Sequence, residues 1–192
     1  MDERKNLTEF CASIRKRTQD HTDTAKLASN IPSTMISILR QELDSLIRVV
    51  YLLSISDMAA RDKLINQTLT NQSWTIETKN GRVKKITERD MVELSSSLIG
   101  WTKSVYKFGC SFIHLSGFHN YDATNPLDKL SGEERSDLLN HMRQYHHGPN
   151  SNNPSFKEFC VFLPAVLEKI SGNLACYLDH LEKREILDPT EI

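Results

Sequence analysis

The sequence predicts an all-α fold, a bundle of about five helices with one small β-hairpin inserted around residues 74–87. Apolar side chains recur every three or four positions through most of the 192-residue chain, which is the period of an amphipathic helix. Only 7 Gly and 6 Pro are present, and this low content favours long helices over a turn-rich β fold. No internal repeat or change of composition divides the chain. We therefore expect a single helical domain over 1–192, with a more loosely attached N-terminal helix over about 1–30.

Two helical segments are expected in the first third of the chain. In the first, over about 7–18, four apolar residues share one face: Leu7, Phe10, Cys11 and Ile14. The second begins at Pro32, where Ser33 can cap a helix, and it carries the longest apolar stripe: Ile36, Leu39, Leu43, Leu46, Ile47, Val50 and Leu53. The polar residues 54–57 are expected to end this helix, with a continuation over about 58–69.

A β-hairpin is expected between the helices. Two short alternating runs flank Asn80-Gly81, the dipeptide that most readily supplies the two positive φ angles of a type I′ turn. Because a lone hairpin is marginally stable in water, it should dock on the helices, with Trp74 as its anchor.

The chain after the hairpin returns to helical periodicity. One long helix is expected over about 88–116, and Gly100 and Gly109 inside it indicate a bend or close contact with a neighbouring helix. A connection without regular structure follows, over about 117–126. Its polar and glycine-containing sequence separates this helix from the next.

Two further helices complete the predicted bundle. Ser131 and Glu134 form a capping box that opens a helix to about His146. A polar loop follows over 147–154. The final helix has Pro164 in its first turn, and an apolar stripe runs along it: Val166, Leu167, Ile170, Leu174, Tyr177, Leu178 and Leu181.

The composition excludes several classes of protein. Lys and Arg number 24 against 25 Asp and Glu, whereas a broad nucleic-acid platform would be strongly basic. The charged N-terminus does not resemble a signal peptide. The longest apolar run, Leu46 to Ile55, is interrupted by Arg48 and Ser54 and is too short to span a bilayer. The cysteines are scattered, which is typical of reduced thiols: Cys11, Cys110, Cys160 and Cys176. A cytoplasmic protein with no membrane segment is expected.

Histidines are the first candidates for chemistry, because imidazole titrates near neutral pH. Cys110 and His114 lie four residues apart on one helical face, and His119 follows at the helix end. That spacing could direct ligands toward zinc, but no second Cys/His pair completes a four-ligand site. The pattern favours His114 as a hydrogen-bonded core histidine, so neither a metal nor a cofactor is expected.

A second group lies around the end of the helix that Ser131 opens. Arg143, His146 and His147 could place a guanidinium for a phosphate group beside a general acid or base. The alternative is that the histidines cap the helix, because positive charge at a helix C-terminus is favourable.

Arg48 lies inside an apolar run and needs a partner, because an unpaired buried charge is costly. Asp44, one turn earlier, is the expected ion-pair partner. The alternative is that Arg48 reaches a central polar site shared with His114 and His119.

The segments 40–48, 112–119 and 145–147 resemble those of uncharacterised bacterial helical proteins similar in layout to the HEPN (higher eukaryotes and prokaryotes nucleotide-binding) superfamily. The resemblance implies a helical bundle, often dimeric. Many members are metal-independent ribonucleases of toxin–antitoxin and phage-defence systems, with an Arg followed by four to six residues and a His. Arg135 and His141 match that count within one helix, where six residues turn ~600° and separate the side chains. Arg143 and His147 have one residue too few between them.

Two functions follow from these observations. The first is a HEPN-like protein of a bacterial defence or toxin-type system that acts on RNA as a metal-independent ribonuclease, with a homodimer as the assembly that the resemblance implies. Arg143 would clamp the phosphate in that reading, and His146 and His147 would transfer protons. The second is a non-catalytic helical interaction module with a protein partner, in which the same polar residues only cap helices and form ion pairs.

Overall fold

The computed structural model describes residues 3–78, 80–99, 102–114 and 116–187, and in this part of the chain helices lie on both sides of one hairpin. The elements in chain order are α1 (Glu3–Leu27), α2 (Pro32–Leu53), α3 (Met58–Leu69), β1 (Thr75–Glu77), β2 (Val83–Lys85), α4 (Glu88–Ile99), α5 (Thr102–Ile113), α6 (Gly132–His146), α7 (Phe156–Cys160) and α8 (Leu163–Glu182). Single 3-10 turns lie at Gly117–His119 and Pro126–Lys129. The predicted all-α class with one inserted hairpin is confirmed.

Helix α2 is the centre of the bundle. It contacts α1, α4, α5 and α8, and it is buried over most of its circumference, as expected for a helix that is apolar on more than one face. Pro32 occupies its first turn, where the missing N–H costs nothing. Asp57 then caps α3 by accepting a hydrogen bond from the Ala59 N–H at 2.9 Å.

Helix α8 packs along α2 through the expected stripe, and its buried residues are Leu163, Val166, Leu167, Ile170, Leu174, Leu178 and Leu181. The stretch Phe156–Glu182 is long and apolar enough to cross a membrane by length and composition alone, a test that buried core helices also pass. This stretch is longer than Leu46–Ile55, the apolar run singled out from the sequence, because α7 and α8 follow each other with a single short turn between them.

Helix α1 packs on α2, α3 and α8. Leu7, Phe10 and Cys11 are buried in the common core, and the Arg15 guanidinium forms ion pairs with Asp179 at 2.9 Å and Glu182 at 2.6 Å. The expectation that this helix is more loosely attached concerns its stability and stays a prediction.

The hairpin pairs β1 and β2 antiparallel, with Ile76 opposite Lys84. Its turn differs from the expected type I′ turn across Asn80-Gly81. The Thr78 N–H donates to the Arg82 carbonyl at 2.8 Å, so the loop is one residue longer, as in hairpins whose turn ends in a left-handed residue. Gly81, with φ of 71°, supplies that conformation.

Trp74 anchors the hairpin as expected. Its indole is buried, its Nε1–H donates to the Thr68 hydroxyl at 2.8 Å, and its ring lies 6.0 Å from that of Tyr51. The hydrogen bond satisfies the polar edge of the ring while its apolar body packs on α2 and α3.

The segment expected as one helix over 88–116 is described as α4 and α5, and Gly100 lies outside the described residues. Gly109 makes the close contact that was expected: a Cβ atom there would lie 2.9 Å from the Cβ of Arg40 on α2. Further along, the capping box of Ser131 and Glu134 is present at the start of α6.

Candidate functional site

Arg143, in the last turn of α6, holds the loop that follows the helix. Its Nε donates to the Pro149 carbonyl at 2.9 Å, and its Nη2 donates to the Ser151 carbonyl at 2.7 Å and to Asn152 Oδ1 at 3.0 Å. Charge-assisted bonds to backbone carbonyls fix a loop strongly. The fold therefore uses two of the three guanidinium nitrogens on which a phosphate clamp would depend.

His146 and His147 have different surroundings. His146 is buried, its ring centroid lies 5.4 Å from that of His141, and burial lowers its pKa. His147 is exposed and ends α6 in the left-handed conformation, with φ of 63°. A buried ring and an exposed helix cap account for both residues structurally. Catalytic roles for Arg143, His146 and His147 stay a prediction.

The expectation of a buried His114 is wrong. Because α5 ends at Ile113 rather than near Ser116, His114 lies past the helix and is exposed. His119 hydrogen-bonds the His114 carbonyl through Nε2 at 3.2 Å, and its ring lies 5.8 Å from that of Phe112.

Cys110 does not share a ligand set with these histidines. Its Sγ accepts a hydrogen bond from Arg40 Nε at 3.4 Å. Over the described part of the chain, no three His, Cys, Asp or Glu side chains are grouped so that they could hold a metal ion.

Arg48 forms the expected ion pair, with its Nε 2.9 Å from Asp44 Oδ2. Its guanidinium carbon lies 5.4 Å from the Trp74 ring centroid. Arg48 lines a cavity at the base of the hairpin, and the residues lining that cavity include neither His114 nor His119. The structure therefore does not bring Arg48, His114 and His119 together in one central polar site.

Sequence reasoning missed a buried polar cluster around Glu42. This side chain has no exposed surface, and its carboxylate accepts hydrogen bonds from His21 Nδ1 at 2.6 Å, Thr18 at 2.7 Å and Ser171 at 3.2 Å. The cluster joins α1, α2 and α8. A signal was present, because Glu42 falls on a heptad-like apolar series along α2: Met35, Leu39, Leu46, Val49 and Leu53.

An open groove of about 780 Å³ lies between the α1–α2 turn, the loop before the second 3-10 turn, and α7. The residues lining this groove are Ser29, Asn30, Ile31, Pro32, Tyr121, Asp122, Ala123, Thr124, Asn125, Ser155, Phe156, Lys157, Cys160 and Val161. Burial raises the pKa of the Cys160 thiol to about 12. Because the thiolate is the reactive form, Cys160 is not poised as a nucleophile.

The rim of the groove is unusually apolar for an exposed surface. Val161 is 72% exposed and Ile31 is 49% exposed, while Leu27, two residues before the groove begins, is 89% exposed. Large apolar side chains concentrated beside a concavity mark interaction surfaces. None of the candidate residues from the sequence lines this groove.

Comparisons of the chain with protein-family models, curated proteins and solved structures found no match.

Proposed function

We propose that this protein is a non-catalytic helical interaction module whose groove binds an apolar segment of a partner protein. The observation that carries the proposal is the exposure of two large apolar side chains, Ile31 and Val161, that line one open groove. Burying such side chains contributes roughly 1.5–3 kcal/mol each, and a few buried anchors supply most of the energy of a typical protein interface.

The charge of the groove favours a protein segment over a nucleic acid. Asp122 and Lys157 are its charged lining residues, so their formal charges cancel. Phosphate backbones are held by several Lys and Arg side chains, and the groove does not offer such a set. The side-chain chemistry matches an apolar segment with a few polar groups.

The walls of the groove are held by contacts within the protein. The Asn125 side chain caps the 3-10 turn that follows it, and its Nδ2 donates to the Pro154 carbonyl at 2.9 Å. The rings of Tyr121 and Phe156 lie 5.5 Å apart. A pre-organised wall lowers the entropic cost of binding.

Site-specific photo-crosslinking in cells that produce the protein tests this proposal. A photoreactive residue at position 161 should give a discrete adduct with a different protein, and Ile31→Asp should abolish that adduct. The matched control carries the photoreactive residue in place of Val83, which lies on the hairpin and is 70% exposed. Equal adducts at both positions, adducts only with a second copy of this chain, or no adduct would contradict the proposal.

The ribonuclease hypothesis predicts a different result. If Arg143, His146 and His147 form a catalytic site, the purified protein should cleave RNA without added metal, and replacing both histidines by Ala should abolish cleavage while leaving the helical circular dichroism unchanged. An interaction module should show no cleavage in either form. Metal-independent cleavage that is lost in the double variant would replace our proposal with the ribonuclease reading.

A further inference from the structure

The cavity at the base of the hairpin has a chemical character different from that of the groove. It has a volume of about 510 Å³, which is within the range of small-molecule sites. Arg48 and Lys85 line it, together with the indole of Trp74. Arg48 lies 16 residues beyond the start of α2, so the cavity is about 24 Å along that helix from the groove.

We propose that this cavity binds a small molecule through an oxyanion group, a phosphate or a carboxylate. Arg48 commits only its Nε, which donates to Asp44, and its two terminal nitrogens have no hydrogen-bond partner among the described residues. The planar fork of a guanidinium matches the geometry of both oxyanions. The ion pair with Asp44 and the nearby Trp74 ring restrict the movement of this fork.

Lys85 provides the second positive charge. Its ammonium group has no partner among the residues that the structure describes, whereas the neighbouring Lys84 is paired with Asp90 at 3.0 Å. Glu88, a carboxylate that lines the cavity, is itself bonded to the Arg40 guanidinium at 3.2 Å and to the Tyr106 hydroxyl. The cavity is therefore lined by one unpaired cation, Lys85, by the Arg48 guanidinium, whose two terminal nitrogens are free to donate, and by a carboxylate that is already paired.

Neutral polar groups complete the wall. Asn71, Gln72 and Ser73 follow one another along it, and within the described chain none of their side chains makes a hydrogen bond. Two amides and a hydroxyl next to two cations offer donors for the remaining oxygens of an anion. All three residues are exposed and line the cavity, so their side chains are accessible to a bound anion.

Isothermal titration calorimetry with the full chain tests the proposal. The probes are inorganic phosphate and acetate, each measured against sodium chloride at the same ionic strength. We expect saturable binding of at least one anion, and Lys85→Gln and Arg48→Gln should each weaken it by about tenfold, as expected for losing one charge-assisted contact. The anion that binds more tightly identifies the group for which the cavity is built.

Arg89→Gln is the matched control. Arg89 lies in the first turn of α4, its side chain is 86% exposed, and it is paired with Glu93 at 2.8 Å. It does not line the cavity, so the substitution changes the net charge and leaves the cavity lining unchanged. Lys85 is exposed, so Lys85→Gln separates loss of binding from loss of folding if Arg48→Gln is unstable. The proposal is overturned if neither anion binds saturably, or if Arg89→Gln weakens binding as much as Lys85→Gln. Either failure would leave the proposed protein-binding groove untouched.

Discussion

Replacing Glu42 by Ala should be among the most destabilising single changes in this protein. The substitution removes a fully buried carboxylate and leaves three donors without their acceptor: His21, Thr18 and Ser171. Leaving a buried donor without its acceptor costs about 1–3 kcal/mol, so the loss of all three hydrogen bonds should cost about 3–5 kcal/mol. With a urea dependence of roughly 2 kcal/mol per molar, the unfolding midpoint measured by circular dichroism should fall by about 2 M.

A matched control lies on two of the three helices that the Glu42 cluster joins. Glu182 also links α1 to α8, through Arg15, but both side chains are exposed, and exposed ion pairs contribute about 0–1 kcal/mol. Glu182→Ala should therefore lower the midpoint by less than about 0.5 M. Equal effects of the two substitutions would refute the view that burial makes Glu42 important. So would a loss below about 1 kcal/mol for Glu42→Ala.

Three further predictions concern single residues. Burial, and after it the nearby His146 and Lys169, lowers the pKa of His141 from about 6.5 to about 4. As the pH falls, the unfolded chain therefore takes up the proton before the folded protein does, and the free energy of unfolding should fall by about 1–2 kcal/mol between pH 7 and pH 5. Urea titrations of His141→Phe should show a flatter pH dependence. Gly109→Ala places a methyl group 2.9 Å from Arg40 Cβ. Thermal unfolding should show a stability lower by about 1 kcal/mol, because overpacking outweighs the gain in helix propensity. A stabilised variant would mean that α2 and α5 can move apart at no cost. His147→Gly should be about 0.5–1 kcal/mol more stable, because glycine adopts the left-handed helix end without strain, and a less stable variant would show that the imidazole makes a stabilising contact.

Features that depend on neighbouring residues in the chain were predictable from the sequence. The capping box of Ser131 and Glu134 and the ion pair of Arg48 with Asp44 each lie within one helical turn, where spacing fixes which groups meet. Trp74 was predictable as an anchor because an aromatic residue beside a short hairpin must bury its ring. Local periodicity also located the stripe of α8.

Features that depend on how helices meet were not predictable in this way. Glu42 is one polar residue on an apolar face, and only the approach of α1 and α8 supplies its partners. His114 was misplaced because the helix ends before it, and helix ends are the least certain part of any periodicity argument. The groove was missed because its walls come from two loops and the short helix α7, whose paths depend on tertiary contacts.

The position of Arg143 has a consequence for any later genetics of this protein. Its guanidinium fixes the carbonyls of Pro149 and Ser151, and the same stretch of chain runs on through Pro154, which Asn125 holds, into the Ser155 and Phe156 side of the groove. An Arg143→Ala mutant that loses its biological effect would match the phenotype of a lost catalytic group. A displaced partner-binding wall, with no catalysis involved, would give that phenotype equally well.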